Sequence, residues 1–302
     1  MSWLLFAFSG PVLWAISTHL DKYLVERYFK ENDVAVLLLF TAFIGVLVLP
    51  FIALHAPVVA RLDAGSIALV MFSGVLYMGG LLFYLRALQS EEAAVVAPFF
   101  QAAPLFGYVL AYLALGETLS TRQMIGGALI VVGTLVVSLR FDRAIGVFKL
   151  RLATLMLACG LAMAMSGTIF KIFAIKVEFW VTSFWLFVGE AIFGAVMLAV
   201  GSYRRQLTAV LRANMVALLA IGGSNELINL GGTLGSRFAL TLAPLSIVQA
   251  IGSTTTLFVF VFGIVLSLLF PQLSRETLSF GELAQKGAAA LLVAVGVALV
   301  TR

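Results

Sequence analysis

APFFQAAPLFGYVLAYLALGETLSTRQMIGGALIVVGTLVV, residues 97–137, holds two apolar runs joined by a short polar link. Each run is close to the roughly 20 residues that a helix needs to cross a hydrocarbon core of about 30 Å. Between them, Gly116-Glu117-Thr118-Leu119-Ser120 supplies a breaker, a charge and two hydroxyls. Neither run alternates polar with apolar residues, as a barrel strand would. No water reaches the bilayer core, so a chain that crosses it must satisfy its own backbone hydrogen bonds. Both runs therefore predict helices.

The same alternation of run and break extends in both directions. Spans are expected at 3–21, 34–54, 65–88, 92–115, 122–139, 152–175, 179–201, 213–236, 242–270 and 282–301. Composition agrees. The 302 residues are 62% hydrophobic and 11% charged, with a mean hydropathy of +1.12. Average soluble domains carry roughly 25% charged residues. A soluble fold could not cover this much apolar surface, whereas lipid solvates it. The expected fold is an all-α integral membrane protein, and ten spans leave little chain for a soluble catalytic domain. The N-terminus lacks a basic n-region and a small-x-small cleavage site, so it reads as a retained first helix. The net charge of +5 comes from Lys and Arg lying mainly between the apolar runs. That pattern points to lipid headgroups as the partner and not to nucleic acid. The lone Cys159 excludes an intrachain disulfide.

Asp21 to Asp33 has apolar residues at helical spacing and predicts a short interfacial helix. Arg140 to Arg151 is basic and divides the chain near its middle. The halves on either side, 1–143 and 144–302, repeat one another. Glu117-Thr118-Leu119-Ser120 precedes the fifth span, and Glu276-Thr277-Leu278-Ser279 precedes the tenth. Gly133 matches Gly296, Ala97-Pro98 matches Ala243-Pro244, and Gly79-Gly80 matches Gly231-Gly232. Ser17 and Lys22 match Ser166 and Lys171. Five spans per half is an odd number, so the second half must enter the membrane upside down. Two inverted five-helix repeats are a recurring plan for secondary transporters, with the site near the midplane. The loops after the first, fifth, seventh and ninth spans hold most of the Lys and Arg, which places both termini outside.

The stretch 97–137 resembles the signature of EamA-type proteins of the drug/metabolite transporter superfamily. Its elements are Pro98, Pro104, Gly116-Glu117 and Gly126-Gly127. The resemblance implies ten helices around a central cavity that opens alternately to each side, in the inner (plasma) membrane. It also implies a small-molecule substrate, and termini in the cytoplasm, against the charge count.

Ionisable residues within spans are expensive and default to functional candidates. Glu226 lies mid-way along the eighth span. Gly222, Asn225, Glu226, Asn229, Thr233 and Ser236 share its face. An ionised carboxylate is costly at that depth, which suits a group that takes up and releases a proton. The alternative is a neutral Glu that glues two helices. Glu190, mid-way along the seventh span, is a second proton-coupling candidate on a less polar face. Lys171, Arg86 and Arg237 lie toward span ends, where snorkelling to headgroups is the ordinary explanation. Lys171 is also a possible charge partner of Glu226. Gln101 and Gln249 offer one amide from each half, and Ser253 and Thr256 share the face of Gln249. Trp14 and Tyr77 are candidates to line a cavity, as are Tyr84 and Trp185. No phosphate loop, paired-His zinc motif or other enzyme constellation occurs, so neither metal nor cofactor is expected.

These features point to a secondary transporter, monomeric or homodimeric. It would export a small polar or amphipathic metabolite bound between Gln101, Glu226, Asn229 and Gln249, with proton exchange at Glu226. The competing readings are an exchanger or a flippase of a lipid-linked substrate without proton coupling, and a non-transporting scaffold or regulatory subunit.

Overall fold

The computed structural model describes residues 2–28, 36–55, 62–90, 96, 99, 102–138, 150–269 and 280–301. Among the described residues there is no strand. The first half comprises α1 (Ser2–Tyr28), α2 (Leu37–Ile44), α3 (Leu49–His55), α4 (Ala64–Ser90), α5 (Ala102–Leu115) and α6 (Thr121–Ser138). The second comprises α7 (Leu150–Lys176), α8 (Phe179–Ala199), α9 (Gly201–Ala217), α10 (Gly223–Leu242), α11 (Leu245–Gly252), α12 (Thr255–Leu269) and α13 (Phe280–Val300).

Seven helical segments are long and apolar enough to cross a membrane: Trp3–Asp21, Leu37–Leu54, Ala64–Ala87, Leu150–Lys176, Phe179–Ala199, Gly201–Leu242 and Leu245–Leu266. Three shorter apolar helices, Ala102–Leu115, Thr121–Val136 and Ala284–Val300, complete the set found among the described residues. Leu5, Leu54, Leu113, Leu150 and Val216 are each more than two-thirds exposed, while Glu190, Asn225, Glu226 and Arg237 are buried. Apolar side chains outside and polar ones inside invert the soluble pattern, as lipid solvation requires. This is a multi-pass membrane protein.

The helices depart from the expected spans in four places. The second span is bent, because a 3-10 turn at Gly45–Leu47 separates α2 from α3. The eighth extends from residue 201 through a kink at Asn214 and a π-helical turn at Leu218–Gly222. The ninth breaks between α11 and α12, where Ser253 and Thr254 turn their hydroxyls back onto Ala250 and Ile251 carbonyls. Residues 21–28 continue α1 instead of forming a separate interfacial helix. Pro98, Gln101 and Glu276-Thr277-Leu278-Ser279 lie outside the described residues.

Packing is closest where side chains are smallest. α1 runs along α10, and α4 runs along α7. A Cβ at Gly232 would meet Leu13 Cβ, Trp14 Nε1 and the Gly10 carbonyl at 3.1–3.3 Å. A Cβ at Gly80 would meet Met163, Cys159 and Ala162 at 3.1–3.6 Å. Gly10, Leu13 and Trp14 correspond to Cys159, Ala162 and Met163 in the register that aligns Ser17 with Ser166. α6 crosses α13 closely: Cβ atoms at Gly126 and Gly296 would each strike the other's carbonyl, at 2.7 and 2.6 Å. Further along, a Cβ at Gly133 would strike the Ala289 carbonyl at 2.9 Å. Residue numbers rise along α6 as they fall along α13, so the two helices are antiparallel.

Candidate functional site

The buried polar groups line up along α10 and across its neighbours. Asn225, Glu226, Thr233 and Arg237 are buried, and the half-buried Asn229 falls on the same face at three- and four-residue steps. From Asn225 to Arg237 the rise is about 18 Å at 1.5 Å per residue, a large part of a membrane core. Antiparallel packing of α1 sets its Asp21 beside Asn225 and its Trp14 beside Thr233.

At one end of this file, Asn225 Nδ2 donates to Asp21 Oδ1 at 2.7 Å. Asp21 also takes a hydrogen bond from Ser17. Next, Thr41 of α2 donates to Glu226 Oε1 at 3.0 Å, and Asn229 Nδ2 donates to Oε2 at 3.3 Å. Asp21, Asn225 and Glu226 line one narrow cavity with Leu24, Phe40 and Leu218. It has room for about one water molecule. Asn225 Oδ1 is buried and makes no hydrogen bond among the described residues.

In the middle, Trp14 Nε1 donates to Thr233 Oγ1 at 3.3 Å, and Tyr77 of α4 shares a hydrogen bond with Thr233. The Arg237 guanidinium lies 4.9 Å from the Tyr77 ring centre and 5.4 Å from that of Phe187. It donates to Glu190 Oε1 at 2.6 Å with both side chains buried. Thus Arg237 does not snorkel. α10 continues past it to Leu242, which keeps the guanidinium inside the bundle, where an ion pair and aromatic faces replace lost solvation.

Beyond the file, Gly116 takes a positive φ of 64° and ends α5. The reversal lets Glu117 N–H reach the Ala111 carbonyl at 3.2 Å and sends the carboxylate across to the second half. Glu117 Oε2 accepts from Leu245 N–H at 3.0 Å, at the open N-terminus of α11, where a negative charge is favoured. Glu117 Oε1 pairs with Lys171 Nζ, which also donates to the Ala243 carbonyl at 2.5 Å. The charge partner of Lys171 is therefore Glu117 and not Glu226.

Residues 1–139 match the EamA-like transporter family. A curated protein of Clostridium kluyveri, described as an "Uncharacterized transporter", is 25% identical over 134 residues. That alignment covers 43% of this chain and 42% of the relative, so the chain spans about two-fifths of the relative's length. A solved chain described only as "Crystal structure of protein" matches with a TM-score of 0.70 at 17% identity. It covers 100% of this chain and 96% of the other, and shows a shared fold. The EamA-like half supplies Trp14, Asp21, Thr41, Tyr77 and Glu117, and the rest of the chain supplies their partners.

Of the residues singled out from sequence, the structure brings Trp14, Tyr77, Glu190, Asn225, Glu226 and Asn229 to one file. Gln249 sits apart, where its Oε1 would overlap a Cβ at Gly107 of the EamA-like half; that oxygen is buried and has no hydrogen-bond partner among the described residues. Ser253 Oγ lies 3.3 Å from Thr134 Oγ1. Gln101 lies outside the described residues. His19 Nε2 lies 3.0 Å from the Val259 carbonyl and ties α1 to α12. Sequence reasoning did not assign Asp21, Thr41 and Glu117 to a site. Asp21 and Glu117 were visible as acidic residues at span ends, whereas Thr41 carried no signal of its own.

Proposed function

We propose that the chain is a secondary transporter built as two inverted five-helix repeats, 1–143 and 144–302, working by alternating access. Support for the repeat comes from contacts made twice. Gly232 against Gly10, Leu13 and Trp14 repeats as Gly80 against Cys159, Ala162 and Met163. The register that matches Gly133 with Gly296 turns the Gly126–Gly296 contact into the Ala289–Gly133 contact. An antiparallel α6–α13 crossing fits a two-fold axis lying in the membrane plane.

The observation that carries the functional reading is Glu226. It is a buried intramembrane carboxylate whose hydrogen bonds come from the neutral Thr41 and Asn229. Helix adhesion needs no such group, and a scaffold has no use for a polar file about 18 Å long facing both halves. Glu226 takes a proton from one side of the inner membrane and releases it to the other as the halves rock. A small polar or amphipathic metabolite binds beside it, where Trp14 and Tyr77 offer aromatic faces and Asn229 an amide. Gln249, whose buried oxygen has no partner among the described residues, and Gln101 complete the polar lining in the alternate state. Proton exchange at Glu226 drives export of that metabolite.

A thermal-shift screen of the purified protein against metabolites identifies the substrate, since a ligand stabilises the state it binds. That substrate is then followed in proteoliposomes under a pH gradient. Glu226→Gln, which mimics the protonated acid, is expected to fold, bind substrate and lose gradient-driven transport. Unchanged gradient-driven transport by the variant overturns the role of Glu226, whereas wild-type transport indifferent to the pH gradient favours an exchanger or flippase without proton coupling.

A further inference from the structure

We propose that Asp21, Asn225 and Glu226 form a binding site for a desolvated monovalent cation, with sodium as the ion it takes. The inference rests on the reading of Glu226 as a coupling group and extends it to a second ion.

Two carboxylates line the same narrow cavity. Of the buried bases among the described residues, Arg237 pairs with Glu190 and Lys171 with Glu117. Among the described side chains, neither Asp21 nor Glu226 has a basic partner. Two like charges beside each other in a weakly polar interior are costly, and the site favours any cation that enters.

The independent mark of a ligand is Asn225. It lines the cavity, its Nδ2 is committed to Asp21, and its Oδ1 is buried with no hydrogen-bond donor among the described residues. An orphaned buried acceptor needs a partner. A proton on one carboxyl serves a single acceptor, whereas a metal cation coordinates both carboxylates and the amide oxygen together. All the ligands are hard oxygens, which suit alkali and alkaline-earth ions. Calcium takes about six to eight oxygens and magnesium keeps several waters. A cavity with room for about one water molecule accommodates neither shell, but it does fit a bare sodium ion.

The test uses the purified full-length chain, titrated with NaCl against choline chloride at equal ionic strength. Sodium alone is expected to raise the melting temperature saturably. In weak buffer, adding sodium should also release protons, because the ion replaces whatever proton the carboxyl pair holds. Asp21→Asn and Glu226→Gln each remove a charge while keeping shape, and abolish the sodium-specific rise. Asn225→Leu removes one ligand and raises the half-saturating sodium concentration by about tenfold or more. Where a variant does not fold, the wild-type melting shift and proton release decide alone. Equal effects of sodium and choline overturn the site, as does a sodium effect that survives both charge-removing variants. Sodium without effect, with a pH gradient still driving transport through Glu226, overturns the cation site and leaves proton coupling standing. Sodium binding with no gradient-driven transport does the reverse.

Discussion

Arg237 donates to Glu190 Oε1 at 2.6 Å from the inner face of α10 to the inner face of α8, with both side chains buried. The pair makes each residue dependent on the other. Removing one partner of a buried pair leaves an uncompensated charge and costs about 3–5 kcal/mol, whereas replacing both with apolar groups is often near neutral. Glu190→Gln and Arg237→Met alone are expected to lower the melting temperature in detergent sharply. The double variant Glu190→Leu with Arg237→Met should recover most of the loss. A double variant as unstable as either single one shows that the two do not act as a pair.

The Glu117–Lys171 contact predicts an order of severity. Glu117→Gln keeps an acceptor for Leu245 N–H but leaves Lys171 without its counter-charge. Glu117→Ala loses both and gives up a charge-assisted bond worth about 2 kcal/mol. Stability should fall as wild type, Gln, Ala. Adding Lys171→Met to Glu117→Gln should restore stability, and an absence of rescue places the Gln defect at the start of α11 instead.

The glycine crossings make a prediction with an internal control. Gly126→Ala and Gly296→Ala each drive a methyl into a carbonyl on the facing helix, at 2.7 and 2.6 Å. Overpacking of this kind costs about 1–3 kcal/mol. At Gly79, in α4, a Cβ would meet nothing within 4 Å. Gly79→Ala should therefore leave stability unchanged or raise it by about 0.4–1 kcal/mol, as a less flexible unfolded chain allows. Melting curves of the three variants separate tight packing from a general intolerance of substitution.

Orientation is open to chemical labelling. If the basic loops stay inside, both termini lie outside, and cysteines added at either end should react with a membrane-impermeant reagent in intact cells. Cys159 is fully buried, so the background is silent. Labelling that appears only after lysis puts the termini inside, as the EamA resemblance implies.

Some of this was legible in the residues alone. Apolar runs between charged breaks located the helices, because lipid imposes length and composition directly. Gly80 and Gly232, matched in the sequence, are also positions where helices touch, since small residues allow close approach. The inward stripe on α10 could be read from its three- and four-residue steps. Partner choice could not. Arg237 meets Glu190, and Lys171 meets Glu117, across elements far apart in sequence, and only packing decides which buried charges find each other. The break at Ser253 and Thr254 was hidden as well, since hydroxyls inside an apolar run are compatible with an unbroken helix. Asp21 was read as the start of a connector because it ends the apolar run, yet its helix continues to Tyr28.

The α6–α13 seam has a consequence for how such a protein arises. In the two-fold arrangement proposed here, Gly126 meets Gly296 in the same way that Ala289 meets Gly133. One half alone therefore carries both surfaces that the seam joins. Two copies of a five-helix ancestor inserted in opposite directions could dock through it with no new chemistry. Joining them into one chain fixes the ratio of the two orientations at one to one and frees each side to diverge: Trp14 now stands opposite Met163, and Asp21 opposite Phe170. The covalent link thereby turns a symmetric pair into a molecule with a polar file on one side of its axis.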